Sequence, residues 1–269
     1  MKKCLLSNSN ALFNKIAENN TLYIPVDLEQ GRVAYKKFVD GLKMSDALKT
    51  DRSAKDFFFP QTETLMAFKT DGRHIEVIDT RSESEDFVVF GVRGCDVKSL
   101  EVLDKVFLAE PVDTYYANRR EHGVIVSMAC SRPTETCFCQ TFGVDASAPA
   151  GDIVCYKTDD AFYFDAKTEK GQKVLDQIGS VLEDCDDAAV KAEQAKIKEM
   201  QTSRLYDASI YPPIENTPPR FAISKRNEWM MTNADLIIVY VNHNYGGAYQ
   251  SLQVAKRKKK EIINICEFL

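Results

Sequence analysis

Eight cysteines are the residues of this 269-residue chain with the clearest capacity for chemistry. Three of them, Cys130, Cys137 and Cys139, fall within the ten-residue segment CSRPTETCFC. A fourth, Cys95, follows an apolar run in the segment FGVRGCD. Thiols grouped in this way can ligate a metal or cluster, form a disulfide, act as a nucleophile, or pack as small apolar side chains.

Two of these alternatives are disfavoured by the residues themselves. Structural disulfides are rare in a reducing cytosol, and a bridge between Cys137 and Cys139 would be strained. A nucleophilic thiol needs a base, and His122 is the only candidate close in sequence. The C-x6-C-x-C spacing matches neither a ferredoxin run nor paired C-x2-C knuckles, so spacing alone leaves ligation and unligated thiols both open. The remaining cysteines are predicted to be packed or neutral thiols: Cys4, Cys155, Cys185 and Cys266.

Both cysteine segments follow runs typical of buried parallel strands, DFVVFGV at 86–92 and GVIVSMA at 123–129. Asp96 is expected to N-cap the helix that follows the first strand. If the strands are neighbours, Cys95 lies beside the 130–139 loop at their carboxyl ends, where open α/β sheets place their sites. Four thiolates there would suit zinc or an iron–sulfur cluster.

The rest of the pattern predicts an α/β protein: a mixed-sheet domain with flanking helices, followed by a short Rossmann-like β-α-β unit. The predicted boundaries are a domain at 1–200, a proline-rich linker at 201–220 and the β-α-β unit at 221–269. Helices are expected at 10–20, after Pro60, at 169–184, 188–200, 224–234 and 248–260. Further strands are expected at 21–27, 74–79, 152–158, 161–166, 235–241 and 261–265.

Composition restricts the function classes. The net charge of −5 gives no support to nucleic-acid binding. The N-terminal residues lack a signal-peptide core and no run reaches the length of a membrane span, so a cytoplasmic protein is expected. The three histidines, His74, His122 and His243, have no metal-binding spacing, and no P-loop or serine-nucleophile motif occurs.

Four segments resemble one family in their order and spacing: FFFPQTETL, VVFGVRGCDVKSLEVLDKVFL, DTYYANRRE and VIVSMACSRPTETCFCQTFG. Together they are similar to the iron–sulfur electron-transfer subunit, the beta or A subunit, of soluble sulfhydrogenases and anaerobic sulfite reductase. The resemblance covers about residues 1–200. Here the chain departs from the family, because no dicluster ferredoxin module with eight further cysteines follows.

This resemblance implies an oxygen-sensitive, anaerobic electron-transfer subunit. It implies a [4Fe-4S] cluster on Cys95, Cys130, Cys137 and Cys139, with zinc as the alternative metal and Asp96 as a spare oxygen ligand. Arg93 would hydrogen-bond cluster sulfurs, or instead pair with Asp96 or Glu101. The implied partners are flavin- or NAD(P)-binding and catalytic subunits and ferredoxin-like carriers. YYANRRE would be a docking surface or a solvated helix.

Residues 206–269 resemble something else, the C-terminal half of the SLOG superfamily of Rossmann-like nucleotide-ligand domains. The segments RNEWM, AD, VYV and GGA carry this resemblance. It implies that Arg226 and Asn227 line a ligand pocket and that Gly246 and Gly247 let backbone N–H groups approach a phosphate. Hydrolase activity is not expected, because the family's catalytic Thr and Glu are replaced.

Three functions therefore stand side by side. The first is an electron-transfer subunit of a hydrogenase- or sulfite-reductase-type complex. The second is a nucleotide-ligand-binding module without catalysis. The third is a cofactor-free scaffold in a fused or truncated chain.

Overall fold

The structure is a computed structural model. It describes residues 1–83, 85–134, 137–202, 214 and 216–267. The chain divides into two compact units, Met1–Leu205 and Tyr206–Leu269. Most of the predicted linker at 201–220 lies outside the described residues.

The described residues of the first unit form ten strands: β1 (Lys2–Leu5), β2 (Thr21–Asp27), β3 (Val33–Lys37), β4 (Met66–Asp71), β5 (His74–Asp79), β6 (Phe87–Arg93), β7 (Gly123–Met128), β8 (Ile153–Lys157), β9 (Ala161–Ala166) and β10 (Glu183–Asp184). Its helices are α1 (Ser9–Ala17), α2 (Gly94–Phe107), α3 (Thr114–His122), α4 (Glu169–Gln177) and α5 (Ala188–Thr202).

Eight of these strands form one mixed sheet in the order β10-β1-β9-β8-β7-β6-β2-β3. The central strands β2, β6, β7 and β8 run parallel, and the outer pairings are antiparallel. The core of β6 and all of β7 are buried, as expected for parallel strands that helices cover on both faces. The predicted fold class, an α/β mixed sheet with flanking helices, is confirmed.

The side chains of β6 divide between the two faces of the sheet. Val88 and Phe90 join the core cluster that includes α1 and α4, whereas Val89 and Val92 join the cluster that includes α2 and α3. The alternation of side chains between the two faces shifts by one residue between Phe90 and Val92, because Gly91 forms a β-bulge. The φ angle of Gly91 is +83°. Glycine adopts this left-handed conformation without a Cβ penalty.

Two predicted helices are wrong in part. The segment after Pro60 forms no helix; it leads into β4, whose residues 66–71 pair with β5 as an antiparallel hairpin. Alternation along Met66, Phe68 and Thr70 has the two-residue period of a strand, and it prevails over the helix-like composition. Helix α4 ends at Gln177, and the remainder of the predicted helix becomes a short 3-10 turn and β10.

The second unit contains α6 (Pro219–Asn233), β11 (Leu236–Val239), α7 (Gly246–Arg257) and β12 (Glu261–Asn264). β11 and β12 pair in parallel, which confirms the predicted β-α-β unit. A buried strand is the usual interpretation of an apolar run such as DLIIVYV, but this run is buried only at alternate positions, because Ile237 and Val241 are buried whereas Leu236 and Ile238 are exposed. None of the helices in the described part of the chain is long and apolar enough to cross a membrane.

Candidate metal centre

The carboxyl ends of β6 and β7 position the cysteines. The two strands are parallel neighbours, and their register ends with Arg93 opposite Met128. Cys95 is the second residue of α2, directly after β6, and Cys130 follows β7 by two residues. The predicted juxtaposition of the two cysteine segments across neighbouring strand ends is therefore present.

Asp96 does not cap α2. The helix begins at Gly94 with Arg93 as its N-cap residue, so Asp96 lies in the first turn. Its carboxylate instead accepts a hydrogen bond of 2.7 Å from the Ser53 hydroxyl. The helix starts early because Gly94 fits a tight space, where a Cβ would meet side chains of Val144 and Pro149 at 3.0 Å.

The loop after β7 is fixed by hydrogen bonds around each of its cysteines. The Cys130 N–H donates to the Ala146 carbonyl (3.0 Å), and the Cys139 carbonyl accepts from the Val144 N–H (2.9 Å). Thr134 brackets Cys137, since its backbone N–H donates to the Cys137 Sγ at 3.2 Å and its hydroxyl lies 3.3 Å from the same sulfur. The thiols are thus held near the chain's own donors, the kind of second-shell contact that orients metal ligands.

The four thiols lie within electrostatic range of one another. Burial, followed by the charges of Cys130, Cys95 and Cys137, raises the pKa of Cys139 to about 11. The pKa of Cys95 is raised by burial, then by Asp96 and Cys130. The pKa of Cys130 is raised by burial and by Cys137. Without a cation, these effects favour the protonated form of Cys95, Cys130 and Cys139.

Arg93 does not form the predicted ion pair with Asp96 or Glu101. Its guanidinium donates to the backbone carbonyls of Ala129 and Ala47, both at 3.2 Å. Its positive charge, and a side-chain hydrogen bond to Cys130, partly oppose the increase in the pKa of Cys130 that burial causes. Glu101 pairs with Lys98 at 2.7 Å. Arg93 is therefore a fixed positive charge beside the thiols.

The donor set matches a thiolate-bound metal or cluster in the kind of ligand that it offers. Cys95 is exposed, and Cys130, Cys137 and Cys139 are half-buried. Among the described residues, no group of three or more His, Cys, Asp or Glu side chains converges closely enough to hold a metal ion. The four cysteines are gathered at one sheet edge with their sulfurs not yet in a ligating arrangement.

A cysteine nucleophile with His122 as its base does not fit this geometry. His122 precedes β7 and contacts Asp86 at 2.8 Å, whereas the cysteine loop follows the other end of that strand. The six residues of β7 separate the two ends by roughly 20 Å at about 3.3 Å per residue. His122 cannot reach Cys137 or Cys139 across that distance.

The helix that contains YYANRRE, α3, carries its arginines in ion pairs within the first unit. Arg119 donates to Glu63 at 2.9 Å, and Arg120 binds both carboxylate oxygens of Asp104 at 2.8 and 2.9 Å. Tyr116 is buried and also donates to Asp104. These contacts give the two arginines a structural role.

The predicted residues of the second unit lie on two helices. Arg226 and Asn227 are neighbours on α6, where the Arg226 guanidinium donates to Asn227 Oδ1 at 2.9 Å. Gly246 and Gly247 begin α7. The roles predicted for these four residues in binding a ligand stay a prediction.

Two residues near the thiols had no role in the sequence interpretation. Thr134 could have been noticed, because a threonine three residues before a cysteine can donate to its sulfur. Tyr35 had no signal in the sequence. It is half-buried on β3, and the charges of Asp96, Arg93 and Cys95 all act on its pKa, which desolvation raises.

Together, the fold and site define a class of protein: an α/β domain with four cysteines gathered at the carboxyl edge of its parallel strands. A search of curated proteins finds a relative that is 30% identical over 173 residues, sulfhydrogenase 2 subunit beta of Pyrococcus furiosus. The match covers 64% of this chain and 50% of the relative, so the chain spans about half the length of the protein that it matches. No protein-family model matches, and no solved structure matches significantly.

Proposed function

We propose that this chain is an electron-transfer subunit of a cytoplasmic oxidoreductase complex of the hydrogenase or sulfite-reductase type. Cys95, Cys130, Cys137 and Cys139 would hold a [4Fe-4S] cluster. The partners would be flavin- or NAD(P)-binding and catalytic subunits, or ferredoxin-like carriers. When bound, the cluster would supply a site that accepts and returns one electron at a time.

One observation carries the proposal: four thiols follow the carboxyl ends of two neighbouring parallel strands, and the pKa values of Cys95, Cys130 and Cys139 are each raised in part by another thiol of this group. Four thiolates close together repel, and a cationic centre relieves that repulsion while replacing the protons. The relative named for a sulfhydrogenase subunit supports the choice of iron over an empty thiol cluster.

The surrounding residues would tune such a centre. Thr134 and Arg93 donate hydrogen bonds toward the sulfurs of Cys137 and Cys130. Hydrogen bonds and positive charge near cluster sulfurs stabilise the reduced form and raise the reduction potential. Asp96 is held by Ser53 in the first turn of α2, close to Cys95, and would be the oxygen ligand if one thiol is not used.

The test is anaerobic purification followed by iron, sulfide and zinc analysis with visible absorption. We expect about four iron and four sulfide ions per chain, as a [4Fe-4S] cluster requires, and a brown protein. Zinc without sulfide would assign the same thiols to a structural zinc site. A protein that stays colourless and binds neither metal after reconstitution with iron and sulfide would contradict the cluster and support the third function, a cofactor-free scaffold.

A second function rests on the second unit. We propose that α7, which follows the parallel strand β11 and starts at Gly246 and Gly247, binds the phosphate of a nucleotide-derived ligand. Thermal stabilisation of the protein by nucleotides, lost in Arg226→Ala, would support this. Equal melting temperatures with and without nucleotides would contradict the proposal that the second unit binds a nucleotide-derived ligand.

A further inference from the structure

The β4–β5 hairpin is separate from the eight-stranded sheet. Its strands form a two-stranded sheet of their own, and among the described residues no third strand pairs with them. The hairpin is attached to α3 at its base, where the Tyr115 hydroxyl donates to the Leu65 carbonyl at 2.6 Å and the Arg81 guanidinium donates to the Thr114 hydroxyl at 2.6 Å. A hairpin of two strands is marginally stable in water unless other groups cover its apolar face.

One face of this hairpin is apolar and exposed. Phe68 lies directly opposite Val77 in the strand register, and Met66 and Ile75 are on the same face, two residues further along each strand. These four side chains, with Leu65 just before β4, form what we call the hairpin face. Each of the five is between 55% and 63% exposed, so the described residues leave this face uncovered.

The polar residues in the middle of the two strands lie on the other face. Lys69 and Glu76 are opposite each other in the register, each one residue away from Phe68 or Val77, so they point to the opposite side of the hairpin. This alternation is the pattern of antiparallel strands that have one solvated face and one covered face. It indicates that the hairpin face is covered in the functional assembly.

The hairpin face carries no unbalanced charge. Asp79, opposite Met66 in the register, is the one acidic residue of β4 and β5 on this side, and the Arg81 side chain donates to its carboxylate at 2.8 Å. A surface without free charge does not select an acidic or a basic partner. When two identical hairpins meet face to face, apolar side chains contact apolar side chains, and the acidic residue of each copy is already paired.

The area of the hairpin face is large enough for a two-fold contact. A covered apolar side chain of this size removes about 100 Å² from water. Five such side chains give about 500 Å² for each copy and about 1,000 Å² for two copies, which is the size at which specific interfaces begin. Two sheets that pack face to face about 10 Å apart cover both apolar faces at once. A second copy of the chain therefore completes the interface without any further component.

We propose that the hairpin face binds the hairpin face of a second copy of this chain, so that the two hairpins form a four-stranded sandwich about a two-fold axis. Phe68, with apolar neighbours along and across the strands, is the central side chain of the contact. The inference goes beyond the proposed function and does not depend on it, because no residue of the hairpin face is a candidate metal ligand. Each dimer would contain two cysteine sites.

The experiment measures the mass of the purified full chain by analytical sedimentation, with a thiol reductant present so that no disulfide links two copies. Concentrations from about 0.1 to about 100 μM bracket the micromolar Kd expected of a small interface. The wild type should pass from monomer to dimer over this range. For Phe68→Asp we expect Kd to rise about a hundredfold or more, because each dimer loses two central aromatic side chains and each accounts for about tenfold.

Val106→Asp is the matched control, since Val106 on α2 is as exposed as Phe68, at 61%, and is not part of the hairpin face. We expect it to keep the Kd of the wild type. The double variant Phe68→Asp with Val77→Lys places opposite charges directly across the two strands, which supports the hairpin and still removes the apolar centre of its face. It should be monomeric too, so melting of the hairpin does not explain the loss.

Each remaining outcome decides against the inference. A wild-type chain that stays monomeric at about 100 μM would overturn the second copy as the occupant and assign the face to a different subunit. A dimer that survives both hairpin variants, or that is lost equally in Val106→Asp, would also overturn it. Iron analysis of the same samples separates the two proposals, because a dimer without iron contradicts only the cluster and a monomeric iron–sulfur protein contradicts only the dimer.

Discussion

At the residue scale, the distribution of the eight cysteines between two environments is informative. Cys4 and Cys155 are buried among apolar side chains of the sheet, in agreement with the prediction of packed or neutral thiols. Cys155 is fully buried, and burial strongly raises its pKa, which makes it an unreactive thiol. The four candidate ligands instead lie at the sheet edge, with at least part of each residue accessible.

Substitution of single cysteines should separate these two groups. We expect Cys130→Ser to lose most of the bound iron, because one of four thiolate ligands is removed and even second-shell changes cost about 10–100-fold in metal affinity. Cys185→Ser is the matched control, since Cys185 is also half-buried and packs against the same core cluster as Cys130, but is not one of the four candidate ligands. Iron content after anaerobic reconstitution is the measurement, and equal retention in both variants would exclude Cys130 as a ligand.

The pKa of Cys139 predicts how the metal-free protein responds to alkaline pH. The pKa is raised from 9.0 to about 11 on folding, so the unfolded chain loses this proton first. The free energy of unfolding should therefore be unaffected by this group below pH 9 and should fall as the pH rises from 9 to about 11. Denaturant unfolding at pH 8 and pH 10.5 measures the loss.

The tyrosines Tyr35 and Tyr116 also have raised pKa values, so the contribution of the thiol needs its own comparison. Cys139→Ser should show a smaller loss of stability between the two pH values than the wild type. An identical loss would mean that the pKa of Cys139 is not raised on folding, either by burial or by the other thiols. With metal present the sign reverses, because binding releases thiol protons and the apparent metal affinity rises with pH.

At the element scale, α5 holds the cysteine loop through one side chain. Gln201 makes two hydrogen bonds to the backbone at Val144 and Ala146. We expect Gln201→Ala to lower stability by about 1–2 kcal/mol, the usual cost of unpaired backbone groups, and to reduce iron retention because the loop loses its anchor. Iron content and denaturant midpoint are measured together.

Gln194→Ala supplies the comparison on the same helix. Gln194 donates to the Tyr156 hydroxyl at 2.8 Å and does not contact the cysteine loop. A similar loss of stability with full iron retention is expected. If both variants retain iron equally, α5 packs against the core without organising the site.

The accuracy of the sequence predictions followed the strength of each local signal. The strands β6 and β7 were predictable because continuous apolar runs are typical of parallel strands with two covered faces. The adjacency of Cys95 and the loop followed from that. The β4–β5 hairpin was predicted only in part, since its side chains on one face, including Phe68 and Val77, are exposed, and apolar residues there imitate a helix pattern.

Contacts between distant segments were not predictable at all. The N-cap expected at Asp96 failed because Gly94 already fits against residues 144–149, which no local pattern reveals. The partners of Arg93 are likewise carbonyls at positions 47 and 129. Such interactions depend on how loops from different strands meet, and single-sequence periodicity does not contain that information.

At the scale of the whole molecule, the two units differ in how much core they possess. The core clusters of the first unit are built from residues up to Met200. The described residues of the second unit include few buried apolar side chains, namely Ile237, Val241, Leu252 and Ala255. A chain of about 60 residues with so small a core is marginal by itself.

Truncation should therefore have unequal effects. A chain ending at residue 205 is expected to unfold cooperatively, with a melting temperature within a few degrees of the full chain and the same iron content. Residues 206–269 expressed alone are expected to show no cooperative transition. Calorimetry and metal analysis measure both, and loss of iron from the truncated chain would assign the second unit a part in the site.

The bulge at Gly91 determines on which side of the sheet Arg93 lies. Strand residues alternate between faces, and the extra residue shifts that alternation by one step, so Arg93 follows the face of Phe90 and Cys155 instead of the face of Val89. The same residues paired as a regular strand, with Gly91 taking its own place in the ladder, would turn Arg93 to the face of Val89 and α2. The positive charge would then lie away from Cys130, so the side of the sheet on which Arg93 meets the thiols depends on one residue that is not among the candidate ligands.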